Sequence, residues 1–246
     1  MSSSREPGEG TGHDGQGEQE VRDEDSVREA DVDDDQALLE RHEAMNAILP
    51  NVAPRPKRPA TYEDLKLVPD HMVAEILDGE LIATPRPASP HARAASILLT
   101  DLVGPFDRDK GGPGGPGGWW LLAEPELHLH GDVVVPDVAG WRRERMPVMR
   151  SVPAFELPPD WICEVLSPRT VRHDRRQKMR IYARERVTYL WFVEPVERTL
   201  EVYRLEGTRW TTAGAFGDDE KVRAEPFEEI ELDLTRWWLP GEPTAP

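Results

Sequence analysis

Three reactive side chains follow one another through the middle of this sequence. They are Asp137 in VVVPDVAGW, Glu164 in WICEVLS and Lys178 in TVRHDRRQKMRIYARERV. Two carboxylates on neighbouring strands can meet over one cation, and such hard oxygen ligands favour Mg²⁺ or Mn²⁺. A metal of this kind makes a water more nucleophilic, and a nearby ammonium adds positive charge or positions that water. The trio is therefore suited to metal-dependent hydrolysis of a phosphodiester.

Each of these residues also has a simpler interpretation. Asp137, near the end of a strand, could cap the turn after it, and Lys178 could form an ordinary surface pair with Asp174 four residues earlier. Glu164 is harder to explain in this way, because a carboxylate inside an apolar strand is costly unless it is paired or metal-bound. Cys163 precedes Glu164 on that strand, so it should point to the opposite face and serve as packing.

The elements that must position these residues can be identified from local patterns. VAEIL and ELIATP flank Asp78-Gly79, which is a strong hairpin signal. Ser89-Pro90 should open a helix with a cap and a first-turn proline, and apolar Ala94, Ile97, Leu98 and Leu102 follow at helical spacing. The remaining predictions are a short helix after Thr61, strands over 119–129 and 132–141 with a turn at Gly131, a buried strand at 160–166, a helix at 170–186 and a second hairpin formed by TYLWFVEP and TLEVYRL.

The predicted helix 170–186 carries much of the basic charge. Asp174, Lys178 and Tyr182 lie one turn apart and should share a face. The segment 169–186 has eight Lys/Arg and two Asp/Glu, a local charge of +6. This is either a solvated face or a track for backbone phosphates. The predicted nucleic-acid contacts are Arg169, Arg172, Arg175 and Arg176, with a second basic stretch at Arg142, Arg143, Arg145 and Arg150.

Composition divides the chain into three parts. Residues 1–50 hold fifteen Asp/Glu against four Arg, a charge of −11, so the remainder carries −6 of the total −17. Such a polar, acidic segment cannot bury enough surface to offset its ordering entropy. We therefore predict a disordered acidic tail and Pro-rich linker over 1–55, with a short helix at 36–48. A folded domain should occupy 56–240, and a C-terminal tail 241–246.

The sequence favours a cytoplasmic protein. It has no run of 18 apolar residues, so no membrane-spanning helix is expected. The N-terminus MSSSREPGEG lacks the apolar core of a secretory signal. The single cysteine, Cys163, cannot form an internal disulfide, and a reducing cytoplasm is the simplest compartment.

The order of these motifs resembles a known family. The string EILDGEL…P…SPH…PDV…EVLSPRT…D…K…Y…YLWFVEP…VYRL is similar to the Uma-type (Uma-two) restriction-endonuclease-like family of the PD-(D/E)xK nuclease superfamily, over roughly residues 60–240. The resemblance implies an α/β fold with a mixed central sheet of about four strands flanked by helices, with an added β-hairpin region. In that superfamily a lysine follows the strand glutamate by two residues, but here Leu166 fills this position. The family is similar in this respect, which implies that Lys178 is the relocated lysine.

The resemblance also implies roles for other groups. Asp137 and Glu164 would bind Mg²⁺ or Mn²⁺, with Glu80 as a further candidate ligand. Glu75 and His91 match family positions as well, although His91 could instead be an exposed residue in the first turn of its helix. DNA is the implied substrate, and a homodimer is compatible because many such nucleases dimerise to cut both strands.

Two other functions stay open. One is a catalytically silent nucleic-acid-binding or assembly module that keeps the nuclease fold, because the strand lysine is absent and the tail is acidic. The other is an RNA nuclease, which these residues do not separate from a DNA nuclease.

Overall fold

The computed structural model describes residues 58–240. The predicted tail with its helix at 36–48, and the C-terminal tail 241–246, lie outside this range. The strands are β1 (Met72–Leu77), β2 (Glu80–Pro85), β3 (Trp119–Ala123), β4 (Leu127–Leu129), β5 (Asp132–Val134), β6 (Val138–Arg142), β7 (Trp161–Val165), β8 (Tyr189–Glu194), β9 (Thr199–Glu206), β10 (Arg209–Gly217), β11 (Lys221–Val222) and β12 (Leu232–Asp233). The helices are α1 (Tyr62–Leu65), α2 (Ser89–Phe106), α3 (Val171–His173) and α4 (Met179–Arg184), with a π-helical segment (Asp174–Lys178) between the last two and a 3₁₀ turn at Leu234–Arg236.

The strands form one large mixed sheet and two smaller ones. The central sheet has the order β10-β9-β8-β7-β6-β3, and a four-stranded sheet has the order β2-β1-β5-β4. Strands β7 and β8 are parallel, whereas the other pairs of the central sheet are antiparallel. The parallel pair requires a crossover, which α3, the π-helical segment and α4 supply. The predicted α/β class with a mixed central sheet is confirmed, but the sheet has six strands and not about four.

The first hairpin forms as predicted. Asp78 and Gly79 both have positive φ, 53° and 79°, as a type I′ turn between twisted strands requires. The short helix predicted after Thr61 is α1, and Thr61 and Asp64 form its capping box. In α2, by contrast, Ser89 is already the first helical residue, and Ala88 occupies the cap position without a side-chain bond.

The two long strands predicted over 119–129 and 132–141 are each broken, and this prediction was wrong. Strands β3 and β6 pair within the central sheet, whereas β4 and β5 pair within the small one. The breaks fall at Glu124, whose φ is 45°, and at the prolines Pro125 and Pro136. Proline has no N–H for a strand ladder, so the chain leaves one sheet and enters the other at these points.

Two hydrophobic cores cover the two faces of the central sheet. Alternation along β7 sends Trp161, Cys163 and Val165 to the face covered by α2, and Ile162 with Leu166 to the face covered by α4. The burial of Cys163 on the face opposite Glu164 agrees with the sequence interpretation. Four tryptophans are buried in these cores or beside them, Trp119, Trp191, Trp237 and Trp238, whereas Trp120 is half-buried. None of the helices within residues 58–240 is both long and apolar enough to cross a membrane.

Candidate active site

Asp137 lies at the junction where the chain passes from the small sheet to the central one. The sequence suggested that Asp137 lies near the end of a strand. In the structure it directly precedes β6 instead. Val138 pairs with Cys163, so continuing the antiparallel register by one residue sets Asp137 opposite Glu164. The Asp137 Oδ2 atom accepts the Val165 N–H at 2.7 Å and so extends the ladder with a side chain. The break between β5 and β6 therefore brings the two predicted carboxylates to one place.

Glu164 is buried in the middle of β7, with a residue exposure of only 2%. The Tyr182 hydroxyl donates a hydrogen bond to its Oε1 atom, and the Lys178 ammonium lies 3.2 Å from Oε1 and 3.3 Å from Oε2. Burial raises the pKa of Glu164 well above its ordinary value, although the charge of Lys178 opposes this shift. Additional positive charge beside this buried carboxyl group would favour its ionised form.

Lys178 is buried among three carboxylates. Its Nζ atom lies 2.9 Å from Glu75 Oε1, 3.2 Å from Glu164 Oε1 and 3.4 Å from Asp174 Oδ1. Burial alone would lower the pKa of Lys178, but these carboxylates outweigh burial and hold the pKa well above its ordinary value. The ammonium therefore stays charged, and its closeness to Glu164 agrees with what the sequence led us to expect.

The π-helical segment determines which side chains of the crossover face the site. Asp174, Lys178 and Tyr182 are all buried, as their spacing predicted. Arg176, between the first two, is exposed. No pattern in the sequence indicates a π turn within this helix; such turns occur frequently at functional sites. Burial also raises the pKa of Asp174, whose Oδ1 atom has no hydrogen bond to the described residues despite its ion contact with Lys178.

Two further groups complete the cluster. The buried Glu75 on β1 accepts the Val135 N–H at 2.8 Å on the oxygen that also contacts Lys178. His91 in the first turn of α2 is buried, not exposed, and its Nε2 lies 3.2 Å from Asp137 Oδ1. Burial opposes protonation of His91, but the hydrogen bond to Asp137 and the negative charges of Asp137, Asp174 and Glu124 together outweigh burial and raise the His91 pKa.

The cluster lies in one cavity of about 320 Å³. Its polar lining residues include Glu75, His91, Asp137, Glu164, Asp174 and Lys178, together with Arg86, Glu124, Arg169 and Thr170. The first hairpin contributes Glu75 to this lining, whereas Glu80 is exposed beside the hairpin turn and is not among the lining residues. We therefore replace Glu80 by Glu75 as the candidate ligand from this hairpin. Sequence reasoning could have favoured Glu75, because it stands inside the otherwise apolar run VAEIL, where a carboxylate is costly unless it is paired or metal-bound.

Comparisons with known proteins identify the family of this chain. Residues 59–235 match the family model described as "Uma2: Putative restriction endonuclease". The chain belongs to the Uma2 family. A crystal structure from Anabaena variabilis ATCC 29413, described as a "putative nuclease belonging to DUF820", has a similar fold, with a TM-score of 0.59 and 22% sequence identity over 73% of this chain and 97% of that one. A search of curated proteins found no significant match.

In this Uma2 chain, most of the basic side chains in the segment 169–186 are bound to other groups of the protein. Arg175, predicted to contact nucleic acid, instead forms a bidentate pair with Glu201 at 2.8 Å and lies over the Phe192 ring at 4.9 Å. Arg180 and Arg184 pair with carboxylates as well. In the second stretch, Arg143 and Arg145 are held by Asp107, Asp109 and Asp160, and Arg142 lies over Trp119.

Three of the four arginines predicted to contact nucleic acid remain available to a ligand in this Uma2 chain. Arg169, Arg172 and Arg176 are exposed, and none of them has a partner within residues 58–240. Arg169 also lines the cavity, while Arg172 and Arg176 stand one turn apart on the crossover. The first basic stretch of the predicted phosphate track thus narrows to these three side chains, and Arg150 of the second stretch is exposed and likewise has no partner within residues 58–240.

Proposed function

We propose that this chain is a divalent-metal-dependent endonuclease that hydrolyses DNA phosphodiester bonds. The observation that carries the proposal is the placement of Asp137 opposite Glu164, with the charged Lys178 against Glu164, in a cavity open to a ligand. Membership of the Uma2 family, described as putative restriction endonucleases, supports the reaction class. The three unpaired arginines of the segment 169–186, of which Arg169 lines the cavity, fit a polyanionic substrate.

The donor set is suited to a hard cation. Five carboxylates line the cavity, Glu75, Glu124, Asp137, Glu164 and Asp174, against the positive charges of Arg86, Arg169 and Lys178. The ionised lining therefore carries two more negative than positive charges. Across residues 58–240 no group of three or more His, Cys, Asp or Glu side chains is arranged to hold a metal ion. Mg²⁺ is often bound by only one or two carboxylates together with several waters. Asp137 and Glu164 would therefore hold the ion, which would supply Lewis-acid activation of a water.

The chain's own residues prepare this site. The Val165 N–H and His91 fix the Asp137 carboxylate, and Tyr182 with Lys178 fixes Glu164. Preorganised groups of this kind cost no reorganisation when charge develops in the transition state. Lys178 would offset charge on the phosphoryl oxygens, a task that Leu166 cannot perform. Arg169 at the cavity would hold a flanking phosphate.

The direct test is incubation of supercoiled plasmid with the full chain in Mg²⁺, Mn²⁺ or EDTA. We expect cleavage with either metal and none in EDTA, and loss of cleavage in Asp137→Asn and Glu164→Gln. Glu185→Gln is the matched control, since Glu185 is a buried carboxylate that pairs with Arg184 and His130 outside the cavity. Equal cleavage by Asp137→Asn and the wild type would overturn the proposal, and a parallel reaction with RNA tests the substrate.

A silent nucleic-acid-binding module is the second candidate. It is favoured by the ion pairs that already engage Glu75, Glu164 and Asp174 with Lys178. Such a module would bind DNA through the free arginines without cutting it under any metal condition. DNA binding in a gel-shift assay with no cleavage in Mg²⁺ or Mn²⁺ would favour it over the nuclease.

We further propose that double-strand cleavage requires a homodimer, because one cluster serves one strand at a time. Linear plasmid as the first product, together with a dimeric mass in solution, is the expected result. Nicked plasmid from a stable monomer would contradict this part of the proposal.

A further inference from the structure

The cavity that holds the carboxylate cluster has charges of both signs at its mouth. The side chains of Glu75, Glu164 and Asp174 are at most 9% exposed, whereas that of Arg86 is 58% exposed and that of Glu124 is 47% exposed. Arg86 and Glu124 both line the cavity and form an ion pair, in which Arg86 Nη1 lies 3.2 Å from Glu124 Oε2. The buried carboxylates therefore form the floor of the cavity, and the Arg86–Glu124 pair lies at its mouth.

The backbone restrains both partners of this pair. Arg86 stands between Pro85 and Pro87, and a proline restricts its own φ as well as the conformation of the residue before it. Where the chain leaves the central sheet, Glu124 has a φ of 45°, and its N–H donates to the Asp137 carbonyl oxygen at 3.1 Å. Both side chains therefore start from restrained positions, and that of Glu124 is fixed directly beside the carboxylate cluster.

The contact between Arg86 and Glu124 is of a kind that a stronger ligand can replace. A hydrogen bond of 3.2 Å joins one guanidinium nitrogen to one carboxylate oxygen, whereas Arg175 is held by Glu201 through two hydrogen bonds of 2.8 Å. Exposed ion pairs contribute little free energy, because water and salt screen them. A phosphate accepts two parallel hydrogen bonds from a guanidinium, which is the stronger geometry. A phosphate at the mouth would therefore replace the Glu124 carboxylate, which would return to water.

We propose that Arg86 is a phosphate-binding residue that Glu124 holds in the free chain and that the nucleic-acid backbone takes over on binding. This inference rests on the proposed function, because it assigns the phosphates nearest the cluster to Arg86, after β2, and Arg169, after β7. A single anion must displace Glu124 with one contact. A polyanion already bound at Arg169 presents its next phosphate at a high effective concentration. The pair therefore favours a nucleic-acid strand over a free anion.

The test is a double-mutant cycle on the binding of a short DNA duplex by the full chain in EDTA, measured by fluorescence anisotropy. We expect Arg86→Ala to weaken binding about tenfold and to lower the salt slope by about one phosphate contact. Glu124→Gln should tighten binding about threefold to fivefold, because it releases Arg86 from an exposed pair. In the Arg86→Ala background, Glu124→Gln should lose most of this effect, since no guanidinium is left to release.

Glu144→Gln is the matched control, because it releases Lys110 from an exposed ion pair that does not line the cavity, and it should change the affinity less than Glu124→Gln does. Equal tightening by Glu124→Gln with and without Arg86 would mean that Glu124 acts only through its own charge, and it would overturn the inference. Unchanged affinity in Arg86→Ala would overturn it as well. Inorganic phosphate should leave the duplex bound at an ionic strength matched with chloride, and displacement would show that the mouth takes a free anion instead.

These measurements need neither metal nor cleavage, so they separate the inference from the nuclease proposal. Coupling between Arg86 and Glu124 in a chain that never cuts plasmid contradicts the nuclease proposal alone. Metal-dependent cleavage by a chain without this coupling contradicts the inference alone.

Discussion

At the scale of single residues, the Asp137 carboxylate is held in place by its neighbours and is also repelled by a second carboxylate. One oxygen accepts the Val165 N–H and the other meets His91, so the group is fixed in place. Its charge nevertheless acts against Glu164, whose pKa it helps to raise after the larger effect of burial. Asp137→Asn keeps an oxygen for Val165 and removes the charge.

We therefore expect Asp137→Asn to lose cleavage by about a hundredfold or more while the metal-free protein melts no lower than the wild type. Removing one charge from a group of like charges relieves repulsion. Plasmid cleavage and thermal unfolding of the same sample check both halves. A large fall in melting temperature would mean that Asp137 acts mainly in packing.

Lys178 gives a second prediction for a single side chain. Lys178→Ala should reduce turnover by about a hundredfold, or roughly 3 kcal/mol of transition-state stabilisation. Lys178→Arg should restore little activity, because a planar guanidinium does not replace a compact ammonium among three buried carboxylates. Single-turnover cleavage is the measurement, and Lys221→Ala, which changes an exposed lysine, is the control. Full activity of Lys178→Arg would contradict the argument.

The raised pKa values predict a pH dependence of stability. Glu164 and Asp174 have raised pKa values, so between the ordinary and the raised carboxyl pKa the folded chain binds more protons than the unfolded chain. Stability therefore falls as pH rises through this window. The raised pKa of His91 acts in the same direction, since its stabilising contribution is complete below the ordinary histidine pKa and is lost above the raised one.

We accordingly expect the metal-free protein to melt at a higher temperature near about pH 5.5 than near about pH 8. Glu164→Gln, which cannot ionise, should reduce this difference. Differential scanning fluorimetry in EDTA across this range provides the measurement. A melting temperature that rises with pH would contradict the assignment. So would a melting temperature that depends on pH as strongly in Glu164→Gln as in the wild type.

At the scale of elements, the crossover between β7 and β8 separates two kinds of arginine. Arg175 is tied to Glu201 and Phe192, whereas Arg176 beside it is exposed and has no partner in the described range. Although Arg175 and Arg176 are adjacent in sequence, replacing each of them by alanine should have a different effect.

Arg176→Ala should weaken DNA binding and lower the salt dependence by about one phosphate contact, because it removes a free charge. Arg175→Ala should instead lower stability by about 1 kcal/mol, since it breaks an ion pair that is only partly shielded from solvent. Fluorescence anisotropy at several salt concentrations and urea unfolding separate the two effects. The assignment fails if Arg175→Ala changes the salt slope while Arg176→Ala does not.

At the scale of the whole molecule, charge is distributed very unevenly along the chain. Residues 1–50 carry −11 of the total −17, and they belong to the range outside the described residues. An acidic segment on the same chain competes with phosphate for free arginines. We expect deletion of residues 1–55 to tighten DNA binding at low ionic strength, with a smaller gain at physiological salt. Unchanged affinity at low salt would show that the segment does not reach the arginines.

The sequence by itself determined the features that depend on neighbours along the chain. The turn at Asp78 and Gly79 follows from their tolerance of positive φ, and the opposite facing of Cys163 and Glu164 follows from the two-residue period of a strand. The common face of Asp174 and Lys178 follows from helical spacing. These rules are local, so they need no knowledge of the fold.

Only the tertiary structure decided which distant groups meet. Glu75 reaches Lys178 because β1 pairs with β5 in the small sheet, and no local pattern specifies that pairing. Arg175 is withdrawn from the surface track because Glu201, on another strand, lies within reach. The free energy of such contacts depends on burial and geometry between elements far apart in sequence. Residue types and spacing therefore predicted the kinds of chemistry, whereas the packing between the sheets determined which side chains are in contact.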